Sequence, residues 1–298
     1  MDLNNKNIQW AILVLLAFTW GSSFILMKLS LRTFDLFQVA GFRIFLSFIL
    51  FLPLTIRNFK KITKHNLPFL LIVGFIGNTI PAFLFTIAQT KIESSMAGIL
   101  NSLTPLSTLL IGLYLFKEKS SLINVIGVFI ALMGAMGLMI KTDLQTFFAG
   151  ANWFGLFVVL AASFYGISVN VIKHKLKNLD GIAIASLSFF VTGPICGIIL
   201  LFTDFEPVFA SKNAANDFLY ILALAFFSSV LAVIAFNILI KYTTAIFASS
   251  VTYIIPIFAI MWGIIYGEQL IMNDLLWAVI VILGVYLVNL KKNKKIEL

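Results

Sequence analysis

Ten long apolar runs, each bounded by charged or turn-forming residues, restrict the fold of this chain more than any other feature. They cover residues 9–31, 34–56, 67–89, 92–115, 122–140, 152–172, 182–203, 217–240, 244–266 and 272–290. A helix needs about 20 residues to cross the hydrocarbon core of a bilayer. Because the runs lack the two-residue alternation of a membrane β-barrel, helices are the spanning elements that they indicate. The sequence predicts an all-α integral membrane protein with ten transmembrane helices.

The composition favours a membrane protein over a soluble one. Hydrophobic residues make up 61% of the 298 residues and charged residues 11%, whereas a soluble domain has about 25% charged residues. Ten spans leave roughly ten residues for each loop and tail, too few for a separate water-soluble domain. A net charge of +9 is also typical of nucleic-acid binders, but so apolar a chain excludes nucleic acid as a partner and a soluble enzyme as a class.

The distribution of Lys and Arg predicts the orientation. With the N-terminus inside, the inner segments hold fifteen of the 21 basic residues and the outer loops hold four, namely Arg32, Lys91, Lys141 and Lys212. Basic residues concentrate on the cytoplasmic side of membrane proteins. We therefore expect a multi-pass protein of the cell (inner) membrane with both termini in the cytoplasm, where the inner basic loops contact anionic lipid.

The two halves of the chain match each other in order. At a shift of 145 residues Trp20, Gly21, Ser23 and Lys28 fall on Tyr165, Gly166, Ser168 and Lys173. At a shift of 151 Phe85 and Pro105 fall on Phe236 and Pro256, and at 150 Glu118 and Gly134 fall on Glu268 and Gly284. Five spans per half give the halves opposite orientations. The pattern predicts two inverted repeats, residues 1–141 and 142–298, around a central cavity.

These motifs together resemble the drug/metabolite transporter superfamily, in its EamA-like ten-helix branch. The residues that carry the resemblance are Trp20-Gly21-Ser22-Ser23 with Lys28, Arg43-x-Phe45, Pro105, Phe116-Lys117-Glu118, Gly127, Gly134, Pro256, Tyr266-Gly267-Glu268 and Gly284. The resemblance implies two inverted five-helix repeats and a secondary transporter with alternating access. It also implies export of a small polar metabolite, an amino acid or a related organic compound.

Arg43 is the candidate binding residue with the strongest physical argument. It lies near the middle of the second run, where an arginine costs about 2.5–3.5 kcal/mol on insertion scales. Its guanidinium stays charged and needs acceptors, yet no Asp or Glu lies in the core of any run. Two interpretations remain open: a bridge to backbone carbonyls between helices, or a donor for an anionic substrate in the cavity.

Other polar side chains deep in the runs are candidates for the cavity wall. Trp20 and Tyr165 are repeat-equivalent, and each has a polar edge that needs a partner when buried; packing is the alternative. Asn78 matches Ser229 in the same way, and another helix could equally pair its amide. The predicted substrate-binding residues are Trp20, Ser23, Arg43, Asn78, Asn101, Tyr165, Ser229 and Tyr253.

Paired prolines and glutamates are candidates for gating or hinge motion. Pro105 and Pro256 each lack a backbone N–H, which frees a carbonyl for a ligand or for movement, although small residues around them also permit close packing. Glu118 and Glu268 lie just beyond the fourth and ninth runs, on opposite sides of the membrane. We expect them to make capping or gate-like contacts at the start of the next helix.

A membrane-embedded enzyme and a non-transporting multi-span scaffold are the alternatives to transport. The runs hold no histidine and no paired carboxylates, and the chain has no H-E-x-x-H motif, so the groups that catalysis needs are missing. We expect no enzymatic activity, no cofactor and no metal site. The expected partners are a small-molecule substrate and membrane lipid, and the expected state is a monomer or a weak homodimer.

The orientation leads to a labelling prediction. A cysteine that replaces Ser211 should react with a membrane-impermeant maleimide added to intact cells, because residue 211 lies in a predicted outer loop. A cysteine that replaces Lys61, in a predicted inner loop, should react only after the membrane is permeabilised. Labelling of position 61 and not of position 211 in intact cells would overturn the orientation.

Overall fold

A computed structural model describes residues 5–117, 121–139, 153–243, 245–268 and 272–289, and within these ranges the structure is helical without strands. The α-helices are α1 (Lys6–Ser30), α2 (Leu36–Asn58), α3 (Leu67–Gly74), α4 (Ile80–Gln89), α5 (Ser94–Asn101), α6 (Thr104–Phe116), α7 (Leu122–Met139), α8 (Gly155–Lys175), α9 (Gly181–Leu200), α10 (Glu206–Ala210), α11 (Ala214–Ala223), α12 (Ala232–Tyr242), α13 (Ala245–Ser249), α14 (Ile255–Ile265) and α15 (Met272–Asn289). Wider π-helical segments occupy Phe75–Thr79 and Leu224–Leu231, and short 3₁₀ helices occupy Phe59–Lys61 and Ser250–Tyr253.

The apolar runs coincide with helical segments, which confirms the predicted all-α membrane class. Eight segments are long and apolar enough to cross a membrane: Lys6–Ser30, Leu36–Lys61, Leu67–Gln89, Ser94–Phe116, Gly155–Lys175, Gly181–Leu200, Ala214–Tyr242 and Phe247–Ile265. The apolar stretches Leu122–Gly137 and Met272–Leu287 are shorter than these eight segments. A total of ten spans therefore stays a prediction.

Aspartates begin α2 and α9, the second helix of each half. The Asp35 carboxylate accepts hydrogen bonds from the backbone N–H groups of Phe37 and Gln38, at 2.7 and 2.8 Å, and the Gln38 side chain accepts one from the Asp35 N–H. Asp180 accepts a hydrogen bond of 2.8 Å from the Ala183 N–H. These contacts satisfy N–H groups that have no partner within the helix. The two caps thus fix where α2 and α9 enter the bundle.

Four of the predicted spans are interrupted rather than continuous. Proline at the second position of α6 (Pro105) and of α14 (Pro256) follows a break in each helix, because proline cannot donate to the carbonyl four residues earlier. For Pro105 that carbonyl belongs to Asn101, and the Thr104 hydroxyl donates to it at 2.8 Å. The carbonyl that the sequence leaves open for a ligand or for movement is therefore already paired by a neighbouring side chain.

Glycines bring α7 and α15 into backbone contact. A Cβ at Gly134 would lie 2.7 Å from the Val281 nitrogen, and one at Gly284 would lie 2.3 Å from the Ala131 nitrogen. Both distances are too short for any side chain, and small residues at such positions let helices approach closely in lipid. The α7–α15 pair is thus held by close packing around two glycines.

This packing predicts that Gly284→Val destabilises the protein by about 1–3 kcal/mol or more, because the new side chain forces α7 and α15 apart. The measurement is thermal unfolding of the detergent-purified protein. Leu283→Val is the matched control, since Leu283 is 53% exposed on the same helix and its replacement should have little effect. Equal unfolding temperatures for the two variants would contradict the packing argument.

Candidate functional site

A cavity lies between the helices of the two halves, with about 950 Å³ of space that holds no protein atoms and is partly open to solvent. Seven of the eight predicted binding residues line it: Trp20, Ser23, Arg43, Asn78, Asn101, Tyr165 and Ser229. Tyr253 lies outside the lining, because its hydroxyl donates to the Val285 carbonyl of α15 at 2.6 Å.

Arg43 extends from the middle of α2 into the cavity wall. Its Nε donates a hydrogen bond of 2.9 Å to the Ser229 hydroxyl, in the wide helical segment Leu224–Leu231. Within the part of the chain that the structure describes, the two terminal nitrogens of its guanidinium have no hydrogen-bond acceptor. The bridge to backbone carbonyls that the sequence left open is therefore not formed among these residues, and most of the donors remain available.

Two aromatic pairs form parts of the wall. The rings of Trp20 and Phe236 meet edge to face with centroids 5.0 Å apart, and those of Phe85 and Tyr165 stack with centroids 6.0 Å apart. The Trp20 indole N–H donates to the Ser228 carbonyl at 3.0 Å. Trp20 thus lines the cavity while its polar edge is paired by the backbone, so packing and lining both describe it.

Asn78 and Asn101 occupy irregular parts of the helices. The Asn78 amide donates to the Val73 carbonyl at 3.0 Å, across the wide turn Phe75–Thr79, and approaches the Ser188 hydroxyl at 3.4 Å. Asn101 is the last residue of α5, at the break before Pro105. The amides are thus placed where the backbone departs from regular α-helix, which is tolerated at membrane depth when it is buried or lines a cavity.

The cavity also contains polar residues outside the predicted substrate-binding set. They are Thr104, Ser168, Ser228, Asn237, Ser249 and Thr252. Ser168 carried a signal as the repeat equivalent of Ser23. Asn237 lies two helical turns from Ser229, but its position in the lining depends on the wide segment Leu224–Leu231 that precedes it, and no residue pattern in the sequence identified that segment.

Glu268 closes one end of the bundle by capping a helix of the other half. Its carboxylate accepts hydrogen bonds from the backbone N–H groups of Ser94 and Ser95, at 2.8 and 3.0 Å, and from the Ser95 hydroxyl at 2.8 Å. These N–H groups belong to the first turn of α5, where they have no partner within the helix and a negative charge is favourable. The expected contact at the start of the next helix is therefore wrong for Glu268: the capped helix is α5.

Lys28 completes this closure. Its ammonium forms ion pairs with Glu93 and, at 3.3 Å, with Glu268, so α1, α5 and α14 converge here. The Glu268 side chain is only 4% exposed. Partial burial by itself raises the pKa of Glu268, but the hydrogen bonds from Ser95 and Ser94 and the charge of Lys28 outweigh it and hold that pKa below its usual range.

Different contacts join the helices at the opposite end. Lys61 and Asp180 form an ion pair between the loop after α2 and the start of α9. Lys173, the repeat equivalent of Lys28, donates to the backbone carbonyls of Ile240 and Thr243 at the end of α12. Glu118, the repeat equivalent of Glu268, lies outside the described residues. Among those residues no group of three or more His, Cys, Asp or Glu side chains could hold a metal ion.

Known proteins match this chain over nearly its whole length. The family model described as "EamA-like transporter family" matches residues 8–140 and 152–290. An uncharacterized transporter of Clostridium kluyveri is 26% identical, with 88% of this chain and 85% of that protein covered. The uncharacterized inner membrane transporter YedA of Escherichia coli K12 is 24% identical, with 92% and 88% covered.

A solved crystal structure shares the fold. It superposes with a TM-score of 0.66 and covers 96% of this chain and 97% of its own, at 14% sequence identity. At that identity the likeness concerns the arrangement of helices and not the identity of a ligand.

The Glu268 contacts predict a pH-dependent loss of stability. Glu268→Gln should lower the free energy of unfolding at pH 7 by about 1–3 kcal/mol, because three hydrogen bonds lose their charged acceptor. The pKa of Glu268 is lowered in the folded protein, so its contribution is complete above the usual carboxyl pKa and is lost as pH falls through the lowered value. The difference from wild type should therefore shrink as the pH is lowered below the usual carboxyl range.

Thermal unfolding across this pH range is the measurement. Glu206→Gln serves as the control, because Glu206 is an exposed carboxylate in the short helix α10. A Glu268→Gln protein as stable as wild type at pH 7, or a deficit that grows toward acid pH, would contradict the assignment of Glu268 as a charged cap.

Proposed function

The chain belongs to the EamA-like transporter family, and from that membership we propose a secondary transporter of the inner membrane that works by alternating access. Its substrate is a small polar metabolite, an amino acid or a related organic compound, and the direction is export. The observations that carry the proposal are a cavity lined by both halves of the chain and the contacts of Glu268 and Lys28 that join α1, α5 and α14 at one end of the bundle. The Lys and Arg distribution assigns that end to the outside.

Paired contacts support two inverted repeats, residues 1–141 and 142–298. When the first half is shifted onto the second, a contact in one half should have a counterpart between the equivalent residues. The pair Trp20–Phe236 has its counterpart in Tyr165–Phe85, and the hydrogen bond Arg43–Ser229 has its counterpart in Ser188–Asn78. Equivalent contacts that cross between the halves are expected for a pseudo-two-fold axis through the cavity.

Glycine contacts follow the same relation. A Cβ at Gly21 would meet Phe258 and Ala259 of α14, and a Cβ at the equivalent Gly166 would meet Ser107 and Thr108 of α6. Gly134 is in tight contact with Val281, and its repeat equivalent Gly284 is in tight contact with Ala131, which is the repeat equivalent of Val281. The backbones of the two halves therefore approach each other at equivalent places, as two similar units packed face to face would.

Alternating access requires that the outer end open. The contacts of Glu268 and Lys28 join α1, α5 and α14 there, so opening must break them. The helix breaks before Pro105 and Pro256 lie on the two segments that would move, which assigns both prolines a hinge role. By the repeat relation, Glu118 would take the part of Glu268 at the inner end.

A disulfide across the outer end provides a test that does not depend on the substrate. A Cβ at Gly263 would lie 3.5 Å from the Ser95 Cβ, a separation that suits a disulfide. The same Cβ would lie 2.5 Å from Glu268 Oε2, so the Glu268 carboxylate must shift and the disulfide takes over its role in joining α5 to α14. With Ser95→Cys and Gly263→Cys in a Cys196→Ala background, oxidation should hold the outer end shut. A reporter cysteine at Val233, in the cavity lining, should then lose its reaction with an impermeant maleimide from outside and keep it from inside.

Each single cysteine variant, oxidised in the same way, is the control and should leave the reporter reactive from both sides. Counterflow in proteoliposomes against labelled amino acids, nucleobases and organic acids measures transport itself. We expect accumulation of at least one compound by the reduced protein and none by the oxidised protein. Undiminished outside labelling after complete disulfide formation would refute the gate, and absence of any accumulation would refute the transporter.

A further inference from the structure

Among the lining residues that the structure describes, the cavity wall carries one formal charge. Arg43 is the only Lys, Arg, Asp or Glu in that set. Other polar residues of the lining carry neutral hydroxyls or amides: Ser23, Asn78, Asn101, Thr104, Ser168 and Asn237. The cavity therefore has a positive centre without a negative counterpart in its own wall.

The carboxylates at the two ends of the bundle already form ion pairs with lysines. Glu93 and Glu268 pair with Lys28 at one end of the bundle, and Asp180 pairs with Lys61 at the other. A guanidinium stays protonated under all ordinary conditions, and an unpaired charge away from bulk water is costly. A bound anion would therefore be stabilised by the charge that the wall leaves uncompensated.

The free donors of Arg43 suit a carboxylate. Its Nε is occupied by the Ser229 hydroxyl, which fixes the plane of the guanidinium and leaves the two terminal nitrogens side by side. Two parallel N–H donors match the two oxygens of a carboxylate. We call these two terminal nitrogens the guanidinium fork. Ser229 thus acts as a positioning residue for the fork.

The rest of the wall suits an apolar body. Trp20, Phe85, Tyr165 and Phe236 contribute aromatic rings to the lining, and Ile44 and Val233 contribute aliphatic side chains. Apolar surface that enters this space leaves water, which favours binding roughly in proportion to its area. A substrate with a second charged group would instead have to place it against rings or neutral amides.

We propose that the cavity selects monocarboxylate anions with an apolar or aromatic body over zwitterionic amino acids of the same shape. The inference rests on the transport proposed above and narrows its substrate class. A monocarboxylate neutralises Arg43 and leaves no net charge in the cavity. A zwitterion brings an ammonium as well, so the net positive charge remains and the ammonium finds no carboxylate among the lining residues.

Three probes of matched shape test the selection on the purified full-length protein: 3-phenylpropionate, L-phenylalanine and 3-phenylpropanamide. They share the phenyl body and differ in the added ammonium or in the replacement of the carboxylate by a neutral amide. Isothermal titration calorimetry should give 3-phenylpropionate a dissociation constant roughly 10- to 100-fold below that of either analogue, the scale of a hydrogen-bonded charge.

The Arg43→Gln variant links the selection to the fork. It should weaken 3-phenylpropionate binding roughly 10- to 100-fold and leave the weaker binding of 3-phenylpropanamide unchanged, with an unfolding temperature close to wild type. Arg43→Lys, which keeps the charge and loses the parallel donors, serves if the glutamine variant does not fold and should weaken binding less. Lys212→Gln removes an exposed charge outside the cavity and should bind all three probes as wild type does.

Equal affinities for 3-phenylpropionate and L-phenylalanine would overturn the selection. So would failure of all three probes to bind, or a folded Arg43 variant that binds 3-phenylpropionate as tightly as wild type. The transport proposal fails separately: anion-selective binding without flux of any compound in proteoliposomes would refute transport and leave the selection standing. Flux of amino acids without any preference for the anion would refute the selection alone.

Discussion

The arrangement of this protein depends on the absence of hydrogen-bonding solvent within a bilayer. Every backbone N–H and carbonyl at that depth needs a partner from the chain, and irregular backbone is confined to places where side chains can supply one. The carbonyl left by Pro105 is taken by Thr104, and a carbonyl in the wide turn Leu224–Leu231 is taken by Trp20. Thr104, Ser228 and Trp20 also line the cavity. The irregular backbone that needs these hydrogen bonds therefore also shapes the cavity.

The start of α5 shows how the same constraint joins distant parts of the chain. Its first N–H groups have no partner of their own, and Glu268, more than 170 residues later, provides it. The contact stabilises the bundle while it holds, and it consists of hydrogen bonds and ion pairs that water can replace in the opening that we propose. Such a contact is suited to a boundary that must both close and release, unlike the interlocked glycines of α7 and α15.

Sequence patterns predicted the helices and correctly placed seven of the eight predicted binding residues in the cavity lining, for identifiable reasons. A long apolar run predicts a helix in lipid from its own residues alone. Repeat equivalence pointed to Trp20 and Tyr165 because both halves line one cavity. The partner of Glu268, the wide turns and the outward direction of Tyr253 depend on which helices meet in space. Residue spacing within one run does not predict contacts between helices, so only the structure reveals these features.

The solitary charge of Arg43 also has an electrical consequence. Moving one elementary charge through a membrane potential changes the free energy by about 2.3 kcal/mol per 100 mV. An empty cavity contains the net charge of Arg43, whereas a cavity that holds an anion against it is neutral. In the alternating-access cycle that we propose, voltage would therefore act on the return of the unloaded protein and leave the loaded step largely unaffected.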